Sequence, residues 1–159
     1  MNNTTTKLMF SSKSNDWATP QHFFDKLDRM YGPFTLDAAA SEDNYKVKNH
    51  FTMSDNALDK DWSGNIVFVN PPYGRALKNW IRKAYEEGQK ENTTVVMLIP
   101  SRTDTAYWHD YVMKSDEISF VKGRIKFGDE SNSAPFPSAV VVFRKTHHSG
   151  PRIGVIERT

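Results

Sequence analysis

The sequence predicts an α/β domain in which buried strands alternate with amphipathic helices and a β-hairpin comes last. Three observations lead there. Two apolar runs, at 66–69 and 94–99, lack the polar alternation of a half-exposed strand and read as strands covered on both faces. Between them Ala76, Leu77, Trp80, Ile81, Ala84 and Tyr85 recur at helical spacing, which makes a helix with one apolar face for the sheet. Two further strand-like runs, 117–121 and 138–143, flank a long polar loop at 123–137 and pair across it as the hairpin. With 159 residues the chain suits one domain with its own core. The expected organisation is a flexible arm at 1–15, a single domain at 16–144 and a tail at 145–159.

The elements follow in order. Thr19 suits a helix cap and Pro20 the first turn after it. Phe23, Phe24, Leu27 and Met30 then recur at helical spacing, and Gly32 ends the helix. Trp17, just ahead of the cap, fits either a hydrophobic staple or a cover over a ligand. Residues 34–37 read as a short strand ending on Asp37, followed by Ala38, Ala39, Ala40 and Ser41. A carboxylate and then three small side chains let a ligand come close to the backbone, although an ordinary helix start looks the same. This run holds no glycine and is not the usual dinucleotide loop. Residues 42–64 are polar with little pattern. Asp55 and Trp62 stand out within them, while Asp59 and Asp61 read as surface acids. Gly64 turns into the strand at 66–69, and Gly88 closes the helix that follows it. Pro100 stops the next strand, and Thr103 suits the cap of a helix carrying Tyr107, Trp108, Tyr111 and Val112.

Composition excludes several classes. Hydrophobic residues at 38% and aromatic residues at 13% argue against disorder. No apolar run is long enough for a transmembrane helix, and residues 1–14 lack the apolar core of a signal peptide, so a cytoplasmic location is expected. Without cysteine there is no disulfide, thiolate metal site or Cys nucleophile. His147 and His148 read as tail composition, and no metal is expected. A net charge of +2 is too mild to declare a nucleic-acid binder. Arg75, Lys78, Arg82 and Lys83, then Lys122, Arg124 and Lys126, form local basic clusters that suit either phosphates or a solvated surface balanced by nearby acids.

Chemistry concentrates in Asn70-Pro71-Pro72-Tyr73. A proline fixes its own φ and pushes the residue before it towards an extended conformation. Two in a row make a stiff exit from the strand and leave the Asn70 amide at its carboxyl end, where open α/β sheets hold ligands. An amide oxygen beside a free backbone carbonyl offers two acceptors to one amino group, and Tyr73 adds a flat face for a ring. A plain strand-to-helix turn also uses such residues, but a given four-residue string arises by chance in a chain this short with odds on the order of 10⁻³.

The strand–Asn70-Pro71-Pro72-Tyr73–helix unit resembles the catalytic motif of S-adenosylmethionine-dependent amino-methyltransferases. Residues 15–144 are similar to the phage-type DNA N6-adenine methyltransferase (Dam) family. The resemblance is carried by Asp16-Trp17-Ala18-Thr19-Pro20, Leu36-Asp37-Ala38-Ala39-Ala40-Ser41, Asp55-Asn56-Ala57-Leu58 with Trp62, Asn70-Pro71-Pro72-Tyr73-Gly74 and Arg124-Ile125-Lys126-Phe127-Gly128. It implies a Rossmann-like methyltransferase sheet, shortened because only 33 positions separate Asp37 from Asn70. It also implies a soluble enzyme acting on double-stranded DNA. Asn70 and the Pro71 carbonyl would accept from the adenine N6 amino group, with Pro72 stiffening the motif and Tyr73 stacking on the base. Asp37, Ala38 and Ala39 would line the methionine end of the cofactor, Trp17, Thr19 and Pro20 another wall, and Asp55 would reach its adenine. Phe127 or Phe136 would face the target base, and Arg75, Lys122, Arg124 and Lys126 would hold DNA. The same motif serves methyltransferases of RNA or protein glutamine, and a non-catalytic DNA-binding relative would keep the fold.

Overall fold

The computed structural model describes residues 17–128 and 133–159. The arm expected at 1–15, and Asp16 with it, lie outside the described residues. Six strands form one sheet: β1 (Leu36–Asp37), β2 (Ile66–Val69), β3 (Thr94–Pro100), β4 (Glu117–Lys122), β5 (Ser138–Phe143) and β6 (Arg152–Glu157). Their spatial order is β1-β2-β3-β5-β4-β6. β1, β2 and β3 run parallel, β5 runs antiparallel to both its neighbours, and β6 runs parallel to β4. Only β5 is reversed, so the carboxyl ends of β1, β2 and β3 share one edge. The hairpin of β4 and β5 stands where the sequence predicts it.

Among the described residues three α-helices flank the sheet: α1 (Gln21–Tyr31), α2 (Leu77–Gly88) and α3 (Ala106–Asp110). Phe24 of α1 packs edge-on against Phe68 of β2. Tyr85 of α2 meets Phe143 of β5. Phe68 pairs with Val96, whereas Phe143 pairs with Val95, one residue out of phase. Paired residues share a face, so α1 and α2 cover opposite faces. That is why β3 and β5 are almost wholly buried and read as continuous apolar runs. Gly88 is the last residue of α2 for a packing reason: a Cβ there would lie 2.7 Å from the Phe143 Cβ.

Two expectations about caps are corrected. Thr19 makes no side-chain cap; Pro20 occupies the cap of α1, and its carbonyl accepts from the Phe23 and Phe24 amides. α3 is capped by Thr105 rather than Thr103, with the Trp108 amide donating to its hydroxyl.

Within the expected tail, residues 152–157 form a strand of the sheet. Only Ile156 of β6 is buried; Ile153 and Val155 are exposed, so the strand adds little to the core. Its anchor is Asp116, buried just before β4. The carboxylate accepts from Arg144 Nε at 2.6 Å and Arg152 Nη2 at 3.0 Å, and His148 Nε2 lies 2.6 Å from its other oxygen. Burial raises the Asp116 carboxyl, but these partners outweigh it and bring it down to about 2. No described helix is long and apolar enough to cross a membrane.

Candidate active site

Asn70 directly follows β2 and sits at the shared strand edge. Its amide is held from both ends. Nδ2 donates to the Trp17 carbonyl and to the Thr19 hydroxyl, each at 3.0 Å. Oδ1 accepts from the Tyr73 hydroxyl at 2.9 Å. Pro71 is buried and Pro72 exposed. Gly74, at φ +100°, turns the chain, and its carbonyl accepts from Leu77 at the start of α2.

Tyr73 is only 3% exposed. Its ring meets Phe136 edge-on at 5.3 Å, and Trp17 and Phe127 at 6.4 Å. Trp17 in turn stacks on Phe136 at 6.0 Å. Burial drives the Tyr73 phenol far above its ordinary value, so it stays protonated. The Gly128 amide donates to the Ala18 carbonyl at 3.0 Å, which ties the segment at 17–19 to the loop carrying Phe127.

A cavity of about 780 Å³ opens beside the motif. Trp17, Ala38–Ala40 and the stretch 70–73 form one wall, and residues 51–54 and 56–58 the other. Its size suits a nucleoside-bearing cofactor. The alanines put nothing larger than a methyl between backbone and cavity. Asp37 is buried behind them and outside the lining. Its carboxylate accepts from the Ala39 amide at 3.2 Å and the Lys46 amide at 2.9 Å. Burial raises its pKa even against those two bonds. Asp37 therefore shapes the loop that carries the alanines.

The far wall is built from 3-10 turns at Met53–Asp55 and Ala57–Asp59, joined by Asn56 in the left-handed region at φ 53°. Asp55 lies outside the lining. Its carboxylate accepts from the Thr52 amide at 2.8 Å and hydroxyl at 3.1 Å, which fixes the turn. Met53 and Asn56 face the cavity instead. A polar stretch with no periodicity gave no signal for Met53; the Asp55-Asn56 pair was the one turn signal for Asn56. Trp62 is fully buried and pins this wall: its Nε1 donates to the Ala57 carbonyl at 3.0 Å and its amide to Glu87 of α2 at 3.1 Å.

The remaining candidates are not gathered in that cavity. Thr19 and Pro20 lie buried outside its lining, and Phe127 and Phe136 pack on Tyr73 and Trp17. Arg75 and Lys126 are exposed and form no ion pair among the described residues. Lys122 lies 3.8 Å from Glu157, and Arg124 donates to the Ala134 carbonyl at 3.3 Å. Among the described residues no three metal-ligating side chains gather as a metal site. At the end of β3, the Ser101 and Ser138 hydroxyls are buried without a hydrogen-bond partner among the described residues.

Residues 5–158 match the family described as DNA N-6-adenine-methyltransferase (Dam). The chain belongs to the DNA N-6-adenine-methyltransferase (Dam) family. Membership places it among adenine-specific DNA methyltransferases. A protein of Haemophilus phage HP1 (strain HP1c1) named DNA N-6-adenine-methyltransferase is 34% identical over 134 residues, covering 80% of this chain and 77% of the relative. One of the same name from Escherichia phage T1 is 33% identical over 107 residues, covering 67% of this chain and 44% of the longer relative. The Putative methyltransferase YfdM of Escherichia coli (strain K12) is 38% identical over 65 residues, or 37% of this chain and 71% of that protein. In this Dam-family chain the Asn70–Tyr73 motif and the alanines at 38–40 line one cavity.

Proposed function

We propose that this Dam-family protein transfers a methyl group from S-adenosylmethionine to the N6 amino group of an adenine flipped out of duplex DNA. One observation carries the reading: Asn70 lines a cavity whose lining includes Ala38, Ala39 and Ala40, and its amide oxygen accepts from Tyr73, which lines the same cavity. Trp17, Ala38, Ala39 and the turn at 53–56 would hold the cofactor there, with Asp37 and Asp55 shaping their loops. When bound, the cofactor supplies a methyl already activated on its sulfonium.

The residues have alignment and lone-pair control to provide. The N6 nitrogen is a poor nucleophile because its lone pair is conjugated with the ring. Asn70 Oδ1 has two lone pairs; Tyr73 takes one, and the second suits an amine proton. The Pro71 carbonyl takes the other proton. Both bonds favour a more tetrahedral nitrogen with its lone pair aimed into the cavity. Such orientation is worth roughly 7–11 kcal/mol in well-aligned systems. With the methyl donor held in the cavity, the aimed lone pair would take the methyl, leaving the former carbon–sulfur electron pair on sulfur, and the surplus N6 proton would pass to water. A stacked base cannot reach this edge, so the adenine must leave the duplex. Tyr73 then offers its ring, Phe127 and Phe136 border the base, and Arg75, Lys122, Arg124 and Lys126 meet phosphates. This reading places the protein in the cytoplasm, with the DNA.

The test is incubation with methyl-labelled cofactor and unmethylated duplex, then nucleoside mass spectrometry. The expected product is N6-methyladenine, with Asn70→Ala losing about 100-fold or more in rate while still binding cofactor. Label in RNA or protein, and none in DNA adenine, would overturn the reading.

A further inference from the structure

Thr19 is nearly buried, lies outside the cavity and caps no helix. Its hydroxyl spends itself on Asn70 Nδ2 at 3.0 Å. A carboxamide has nearly the same shape in either flipped orientation, so its surroundings must select which end faces the substrate. The Trp17 carbonyl is an obligate acceptor 3.0 Å from Nδ2, and it sets nitrogen towards the segment at 17–19. Thr19 takes the second Nδ2 hydrogen and so locks the plane of the amide. With both hydrogens committed, Oδ1 has to point away from that segment, towards the Tyr73 hydroxyl. A valine of the same shape would fill Thr19's place equally well, yet would leave one N–H of Asn70 without a partner.

We propose that Thr19 is a positioning residue for methyl transfer, acting through the Asn70 amide rather than through the cofactor. The assignment deepens the reading of Asn70 as the amine acceptor and rests on it. It also explains how an amino-terminal segment reaches the reaction centre. Trp17 and Thr19 grip the nitrogen end of Asn70, and that segment is itself held by Gly128 and Phe136 from the loop between β4 and β5.

The experiment compares Thr19→Val and Thr19→Ser with the unaltered protein. Initial rates on duplex DNA give kcat and KM, calorimetry gives the Kd of S-adenosylmethionine, and ¹⁵N-edited NMR follows exchange of the Asn70 side-chain amide protons. Thr19→Val is expected to lower kcat about 10- to 100-fold, the scale of a misplaced reacting group, with the cofactor Kd within about twofold. Asn70 amide exchange should accelerate by about tenfold or more as one protecting bond is lost. Thr19→Ser keeps the hydroxyl and should restore both kcat and slow exchange. A Thr19→Val protein with unchanged kcat and slow Asn70 exchange would overturn the assignment. So would a weakened cofactor Kd with kcat preserved, which would make Thr19 part of the cofactor wall. The exchange measurement needs no turnover. If the unaltered protein methylates no adenine, the proposed function fails; the grip of Thr19 on Asn70 is still judged by exchange.

Discussion

Replacing Tyr73 by phenylalanine separates the hydroxyl from the ring. The hydroxyl makes one neutral hydrogen bond, to Asn70 Oδ1 at 2.9 Å. Such a bond contributes about 1 kcal/mol net to stability, or roughly fivefold in the unfolding equilibrium. The ring is a larger asset: it is buried among Trp17, Phe127 and Phe136. Truncation to alanine should cost about 3–5 kcal/mol through the lost packing. On the proposed reading, in which the ring also meets the flipped base, that contact would be worth about 1–3 kcal/mol, or roughly 5- to 150-fold in kcat/KM. The hydroxyl only shares an oxygen that has a second lone pair, so Tyr73→Phe should stay within about fivefold of the unaltered kcat/KM. Because burial holds the phenol protonated well above the working range, the pH–rate profiles of the two proteins should overlay. Urea unfolding supplies the stability terms, and initial rates at fixed salt supply kcat/KM. If the phenylalanine protein falls as far as the alanine protein in kcat/KM while remaining folded, the hydroxyl acts in the chemistry and the division made here is wrong.

Two other perturbations test the frame. The Asp116 carboxyl sits at about 2 in the fold, against 3.8 for the unperturbed group. A depressed folded pKa contributes stability above the unfolded value and loses it as pH falls through the folded one. Unfolding measured from pH ~5 to ~2 should therefore lose about 2 kcal/mol from this group, and hydrogen exchange should show β6 amides opening first; a β6 that stays as protected as β3 at pH ~2 would refute the anchor. Gly88→Ala should cost about 1–3 kcal/mol by overpacking, because the new methyl would meet Phe143 at 2.7 Å; an unchanged urea midpoint would mean that α2 slides freely on β5.

Much of this geometry was legible where local chemistry dictates it. The two prolines after β2 set the exit of the strand whatever surrounds it, and unbroken apolar runs mark β3 and β5 because helices cover both faces of the sheet. What escaped depends on which partner a side chain takes, near or far in sequence. Thr19 beside Pro20 has the sequence of a helix cap, and its actual partner, Asn70, is 51 positions away. Asp55 has the look of a ligand-facing acid, but an acceptor three residues from Thr52 satisfies that turn first. β6 was invisible because its neighbour β4 recruits it largely through backbone bonds and through Asp116, with a single buried side chain of its own.

The short connection from Asp37 to Asn70 makes the same point about the cavity. A longer sheet would extend beyond β1 with further strands. Here the chain doubles back instead, and residues 49–51 take up the free edge of β1: the Asp37 amide donates to the Asn49 carbonyl at 3.0 Å, and the Asp37 carbonyl accepts from the Phe51 amide at 2.9 Å. The Asp37 carboxylate meanwhile binds the Ala39 and Lys46 amides and closes the intervening loop. One residue thus replaces the ladder of a missing strand with its backbone and shapes the alanine wall with its side chain. At the other end, Trp62 and Glu87 fasten the 3-10 turns to α2, the helix that begins just after Tyr73 and Gly74. Both walls of the cavity are therefore referenced to the strands and helix that flank Asn70, which fixes them relative to that residue despite so short a connection.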